Sequence, residues 1–284
     1  MSRLIFSIIF IFFFYSSCKQ QVKFTSPAGY NLSKPQVFVM PGKLDEISGI
    51  AFKNGNPDTL YAEQDEEGKV FYFVPGSTAV QHHRFAKKGD YEDIALFDST
   101  VVILRSDGVL FSFTFSASGD NQLPGVQQTS GGLPPGEYEA MYAEEAGGGL
   151  YVMCKHCPKD EGGKNVSGYQ LQKNGAAFEL KNTFAVNTTA IAEKTGQKQI
   201  TFRPSAMAFN RRTNQWWILS SINKLLVTAD DQWKVMEVFS LAPALFNQPE
   251  GIAFDLNNNL YISNEKGSTS NATLLKFNFE AAKK

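Results

Sequence analysis

The 284-residue sequence predicts an all-β repeat fold, a β-propeller of five blades, or six if one blade has lost its motif. Three observations lead there. A seven-residue motif returns five times at blade-like spacing, a second apolar strand follows every copy, and no stretch beyond the N-terminal segment shows a helical period. The 24 Phe and 10 Tyr fit, because flat aromatic side chains pack well on pleated surfaces.

The N-terminus is expected to stay outside the fold. Arg3 precedes a 12-residue apolar run, Leu4 to Tyr15, interrupted only by Ser7. Spanning a bilayer as a helix takes about 20 such residues, so the run has the length of a signal-peptide core. Tyr15-Ser16-Ser17-Cys18 then resembles a bacterial lipobox, with Tyr15 in place of the usual aliphatic residue. This predicts a lipoprotein signal over residues 1–18 and a lipid-modified Cys18; an ordinary secretory signal or an uncleaved anchor are the alternatives. Residues 19–33 are polar and aperiodic and read as a flexible tether. Residues 34–284 are the propeller domain. The expected location is a bacterial cell envelope, anchored to a membrane and facing the periplasm or the cell surface.

The motif copies align without gaps. They are Glu46–Phe52, Asp90–Leu96, Glu137–Ala143, Arg203–Phe209 and Gln248–Phe254, starting 44, 47, 66 and 45 residues apart. A period near 45 is blade-sized. The second strands follow at Leu60-Tyr61-Ala62, Val102-Ile103-Leu104, Leu150-Tyr151-Val152, Trp217-Ile218-Leu219 and Leu260-Tyr261-Ile262. Turn-forming residues separate the two, as in Asn54-Gly55-Asn56-Pro57-Asp58 and Asn257-Asn258-Asn259. Third strands are expected at Val70–Phe73, Val109–Phe113, Leu225–Val227 and Leu274–Phe277. The long third interval reads as an insertion around 155–200. The strand Gln36–Met40, ahead of the first motif, is predicted to complete the last blade.

The third motif position reads Ser48, Glu92, Glu139, Ser205, Glu250. This alternation resembles the Ser-Gly-Leu and Glu-Gly-Ile/Leu motifs of the SdiA-regulated family of bacterial extracytoplasmic propellers, over about residues 35–279. Three motifs depart from it, with Asp93, Ala140 and Ala206 where the family has glycine. Lys155 stands where an acid usually follows the second strand. The resemblance implies the fold and says little of chemistry.

Alternate residues of a strand share a face, so the five third-position residues are expected to form a ring at the channel. Three carboxylates together need a counter-charge, for which Arg105 and Arg203 are candidates. One reading is a hard-cation site of Glu92, Glu139 and Glu250, with Ca²⁺ as the cofactor, since oxygen-only donors suit that ion. The other is structural, with each carboxylate capping backbone amides of the next blade. Cys154 and Cys157, in a Cys-x-x-Cys spacing, are expected to form a local disulfide in an oxidising compartment, with free thiols or a metal or redox role as alternatives.

A net charge of −1 with no basic stripe argues against nucleic acid as a partner. No nucleophile elbow, zinc-protease motif or phosphate loop is present, and only 3 His are available for acid–base work. The function that remains is a lipid-anchored binding module for an unknown small molecule or protein. The alternative is a metal-dependent hydrolase of lactonase- or phytase-like type, with Glu250 and Asn264 as the matching residues.

Overall fold

The computed structural model describes residues 24–97, 99–115, 122–144, 149–175 and 177–281. The signal segment and Cys18 lie outside the described residues. Among those described, five four-stranded antiparallel sheets form the molecule. The first blade holds β2 (Ile47–Phe52), β3 (Leu60–Gln64), β4 (Lys69–Phe73) and β5 (Gln81–Arg84). The second holds β6 (Tyr91–Phe97), β7 (Thr100–Arg105), β8 (Leu110–Thr114) and β9 (Gln127–Thr129). The fourth holds β14 (Ala206–Asn210), β15 (Gln215–Ser220), β16 (Leu225–Ala229) and β17 (Val235–Ser240). Every motif copy contributes the innermost strand of its blade, and every second strand lies where the spacing put it.

Blade five closes the ring as expected. Its strands β18 (Pro249–Phe254), β19 (Leu260–Asn264) and β20 (Thr273–Phe277) are joined at the outer edge by β1 (Gln36–Val39), which runs antiparallel to β20 with Val37 opposite Leu275. A strand from the start of the chain thus covers the open edge left by its end, which removes an unpaired ladder. Five blades is the count.

The third blade corrects the expected insertion. Residues 155–200 are largely its own outer hairpin, β12 (Asn165–Asn174) and β13 (Ala177–Asn187), following β10 (Glu137–Glu144) and β11 (Gly149–His156). These strands are long, which lengthens the interval. The helix α1 (Thr188–Thr195) accounts for the rest, capped by the Asn187 side chain on the Ala190 amide and ended by Gly196 in the left-handed region at φ 70°.

Five apolar clusters hold the ring together, each shared by two adjacent blades. The ordered body also begins before residue 34. Residues 19–23 of the expected tether lie outside the described residues, but Tyr30 and Leu32 are buried. The Tyr30 ring packs edge-on against Trp217 and Phe279, and its hydroxyl donates to the Asn258 carbonyl at 2.7 Å. One buried aromatic in a polar stretch leaves no periodicity to read.

Candidate functional site

The innermost strands start at one end of the channel and finish at the other, so each motif has two halves with different surroundings. Its first half builds an acidic mouth. Its second half lines a cavity of about 310 Å³, bounded by residues of all five blades.

At the mouth, the two serines of the predicted ring hold blades together. The Ser48 hydroxyl donates to the Glu92 carbonyl at 2.9 Å, and that of Ser205 donates to the Pro249 carbonyl at 2.7 Å. Ser263, one strand further out, donates to the Ser48 carbonyl at 2.7 Å and ties blade five to blade one. These contacts need close approach. A Cβ on Gly251 would meet the Ser48 carbonyl oxygen at 2.5 Å, and one on Gly49 would meet the Asp93 Cα at 2.6 Å.

Capping of a neighbouring blade falls to Asp93, one position past the predicted ring and at one of the missing glycines. It is buried; one carboxylate oxygen accepts from the Ile94 amide at 2.8 Å, the other from the Met141 amide of blade three at 2.6 Å. Fully buried Glu63 plays a similar part within blade one, accepting from the Gly49 amide at 2.7 Å while its second oxygen has no partner. Burial pushes both carboxyls well above the usual carboxylate range.

The three ring glutamates do share the mouth. Burial, then Asp90, raises Glu92 to about 8, with Lys155 pulling it down and Glu250 and Asp65 adding to the rise. Glu250 is raised to about 7 by burial, against a hydrogen bond from Ser221 and the charges of Lys155 and Lys224. Glu139 is buried and ion-paired with Lys155, which also reaches Glu137 at 3.1 Å. The counter-charges are therefore lysines. Arg105 is instead bonded to Asp107 in its own turn, at 2.8 and 2.7 Å. Arg203 borders a second cavity of about 240 Å³, beside His156 and Cys157. Lys155 replaces an expected acid, and that replacement supplies the positive charge.

Among the described residues, Glu92, Glu139 and Glu250 are not the carboxylates that converge. Glu46, Asp65 and Glu265 are, each offering an oxygen within 4.8 Å of the others. All three follow directly from strand geometry: Glu46 precedes β2, while Asp65 and Glu265 each follow a second strand. Burial, then Glu46 and Glu66, raises Asp65 to about 6, and its Oδ1 is buried without a partner. Burial raises Glu265 to about 9, with Glu250, Asp65, Glu46 and Glu92 all contributing. Gln248 donates to Glu265 at 2.6 Å. Glu46 opens the first motif, but the alternation at the third position points to the ring, and spacing alone does not bring Glu46, Asp65 and Glu265 together.

Beside the mouth, Cys154 and Cys157 are joined in a disulfide with Cα atoms 6.0 Å apart, and Lys155 lies between them in the chain. Asp160 lies close to both sulfurs, but its carboxylate is occupied by Ser167, accepting from that residue's hydroxyl and amide at 2.6 and 2.9 Å.

Residues 173–267 match the SdiA-regulated family. The span runs from the outer hairpin of blade three through blade four and most of blade five, and it contains Ser205, Glu250 and Glu265. The resemblance carried by the motif alternation is borne out over that span. No curated protein matches the chain's sequence. Among solved structures, the glutaminyl cyclase of Myxococcus xanthus superposes with a TM-score of 0.59 at 12% identity, over 87% of this chain and 96% of that one. A luciferin-regenerating enzyme does so with a TM-score of 0.52 at 10% identity, over 86% and 95%. At such identities the likeness is one of fold.

Proposed function

We propose that the protein is a lipid-anchored, extracytoplasmic binding module, and that its acidic mouth takes a hard cation, Ca²⁺ by the chemistry of its donors, as part of holding a small molecule or protein. The observation that carries this is the convergence of Glu46, Asp65 and Glu265 within 4.8 Å, with the buried Asp65 Oδ1 lacking any partner. Oxygen-only donors suit calcium or magnesium over zinc or copper. The raised carboxyls add support. Burial disfavours the charged forms of Asp65, Glu92, Glu250 and Glu265, and a divalent cation would reverse that balance.

Thermal melting of the mature domain at pH 7.5, with EDTA and then with rising Ca²⁺, tests the reading. A ligand at 100 times its Kd stabilises by about 2.7 kcal/mol. Asp65→Asn should abolish the calcium response. No shift with Ca²⁺ or Mg²⁺, together with no metal by elemental analysis, would overturn the cation. The hydrolase alternative draws on the same donors, so turnover of a lactone by the calcium-loaded protein would move the reading to catalysis. Membrane anchoring is checked separately by mass spectrometry of the mature N-terminus, which should begin at Cys18 and carry acyl chains; an unmodified or uncleaved N-terminus would remove the lipid anchor.

A further inference from the structure

The far end of the channel has a chemistry opposite to that of the mouth. Its cavity of about 310 Å³ is walled by motif positions five to seven from every blade. Position five supplies Ile50, Ile94, Met141, Met207 and Ile252, and alanine occupies position six in four of the five blades. The small side chains leave the space open, and the large ones make its walls apolar. About ten waters' worth of volume is enclosed, at ~30 Å³ each. That is the low end of small-molecule sites.

The rim of this cavity is cationic. Arg211 and Arg212 border it, with Asp255 as the carboxylate beside them. Asp255 is turned to its own hairpin: it accepts from the Asn257 and Asn259 amides at 2.9 and 2.8 Å and from the Asn259 side chain at 2.8 Å. Arg212 lies over the Phe279 ring, 4.5 Å from its centroid, which holds its guanidinium at the rim. A guanidinium carries its donors in a planar fork that matches a carboxylate, and Arg212 is the one placed by the Phe279 ring. The ring acids Glu92, Glu139 and Glu250 lie earlier on the same strands, four residues and about 13 Å from position seven at ~3.3 Å per residue.

We propose that this cavity is a second binding site, taking a small amphipathic carboxylate whose apolar body of about ten non-hydrogen atoms enters the channel while its head is held by Arg212. The site does not depend on the acidic mouth or on any cation there. It is walled in part by Phe209 and Tyr142, whose rings lie 5.0 and 5.3 Å from that of Trp216. Occupancy should therefore be visible in tryptophan fluorescence.

The probe is octanoate, titrated in EDTA by calorimetry and fluorescence, with octylamine and octanol at the same concentrations as controls. Octanoate should bind at least about tenfold more tightly than either control, since a charge-assisted pair is worth more than a neutral one. The variant Arg212→Gln should lower octanoate affinity about ten- to hundredfold while leaving octanol unchanged. Met207→Trp should abolish binding by filling the channel. If that variant does not fold, the charge controls and the arginine variant still decide. Absence of octanoate binding, equal binding of octylamine, or an unchanged affinity in the arginine variant would each overturn the proposal.

Discussion

Asp93→Asn is the substitution that best isolates how one blade is fastened to the next. The side chain is 3% exposed, and its two oxygens receive two amides, Ile94 at 2.8 Å and Met141 at 2.6 Å. Asparagine keeps the shape but only one acceptor oxygen, so its NH₂ group must face an N–H. A hydrogen bond to a charged group contributes about 1.5–3 kcal/mol, and a buried amide left unmet costs about 1–3. Against this, the neutral residue no longer buries a charge, and burial already pushes the Asp93 carboxyl upward. The balance is a loss of about 2 kcal/mol, within those ranges. For a domain of this size that is a fall of about 4–8 °C in Tm. Urea unfolding should show a lower midpoint at unchanged slope, and the Met141 amide should exchange faster with solvent. An Asn variant that melts within about 1 °C of the parent, well inside the expected range, would refute the assignment of Asp93 as the fastening between blades two and three.

Three further outcomes follow from the same geometry. In chelator, Tm should fall from pH 5 to pH 9: Asp65, Glu250, Glu92 and Glu265 are held near 6, 7, 8 and 9 in the fold, so the folded state keeps protons that the unfolded chain has lost. That stability is complete below the ordinary carboxylate pKa near 4 and is lost as pH rises through the raised values; a flat profile would contradict it. Lys155→Met should cost about 1–3 kcal/mol at pH 8 and less at pH 5, because Lys155 favours the charged forms of Glu92 and Glu250, which are held near 8 and 7 and are protonated at pH 5; equal losses at both pH values in urea titrations would remove Lys155 as the counter-charge. Tyr30→Ala should cost about 3 kcal/mol and expose residues 24–33 to limited proteolysis, as expected for an aromatic removed from a packed core.

The fold was legible because each blade repeats one instruction. An apolar strand, a turn that tolerates a positive φ, and a second apolar strand recur at fixed spacing, and the turn asparagines Asn214 and Asn258 do sit at φ 55° and 62°. Blade three hid its outer hairpin because the strand Ala177–Asn187 is mostly exposed, with Phe178 and Val186 its buried side chains. A strand whose buried side chains are eight positions apart, with Leu180 exposed between them, leaves no alternation to read. The candidate site was legible only as a position along the chain. The ring at Ser48, Glu92, Glu139, Ser205 and Glu250 lies at one mouth, yet its serines serve the blades and Glu139 serves Lys155. Convergence of Glu46, Asp65 and Glu265 depends on how far second strands extend past the motif, which spacing alone does not give.

The departures from the family pattern explain one another. Gly49 and Gly251 let the neighbouring blade approach until no Cβ fits. Where blade two carries Asp93 instead of that glycine, the side chain reaches across to the Met141 amide, so a fastening by close backbone approach is replaced by one through a carboxylate. That adds a buried acid to an end of the channel already crowded with Glu63, Glu92 and Glu139. Lys155, in the blade that Asp93 grips, stands where the family pattern has a further acid, and it pairs with Glu139 and lowers Glu92 and Glu250. Glycine at position 93 should therefore loosen blades two and three, whereas an acid at position 155 with Asp93 in place should destabilise the mouth most. Measured as a double-mutant cycle, Asp93→Gly and Lys155→Glu should be less destabilising together than the sum of the two alone, with a coupling of about 0.5–3 kcal/mol, the range for residues in one network. Strict additivity would separate the blade fastening from the electrostatics of the mouth.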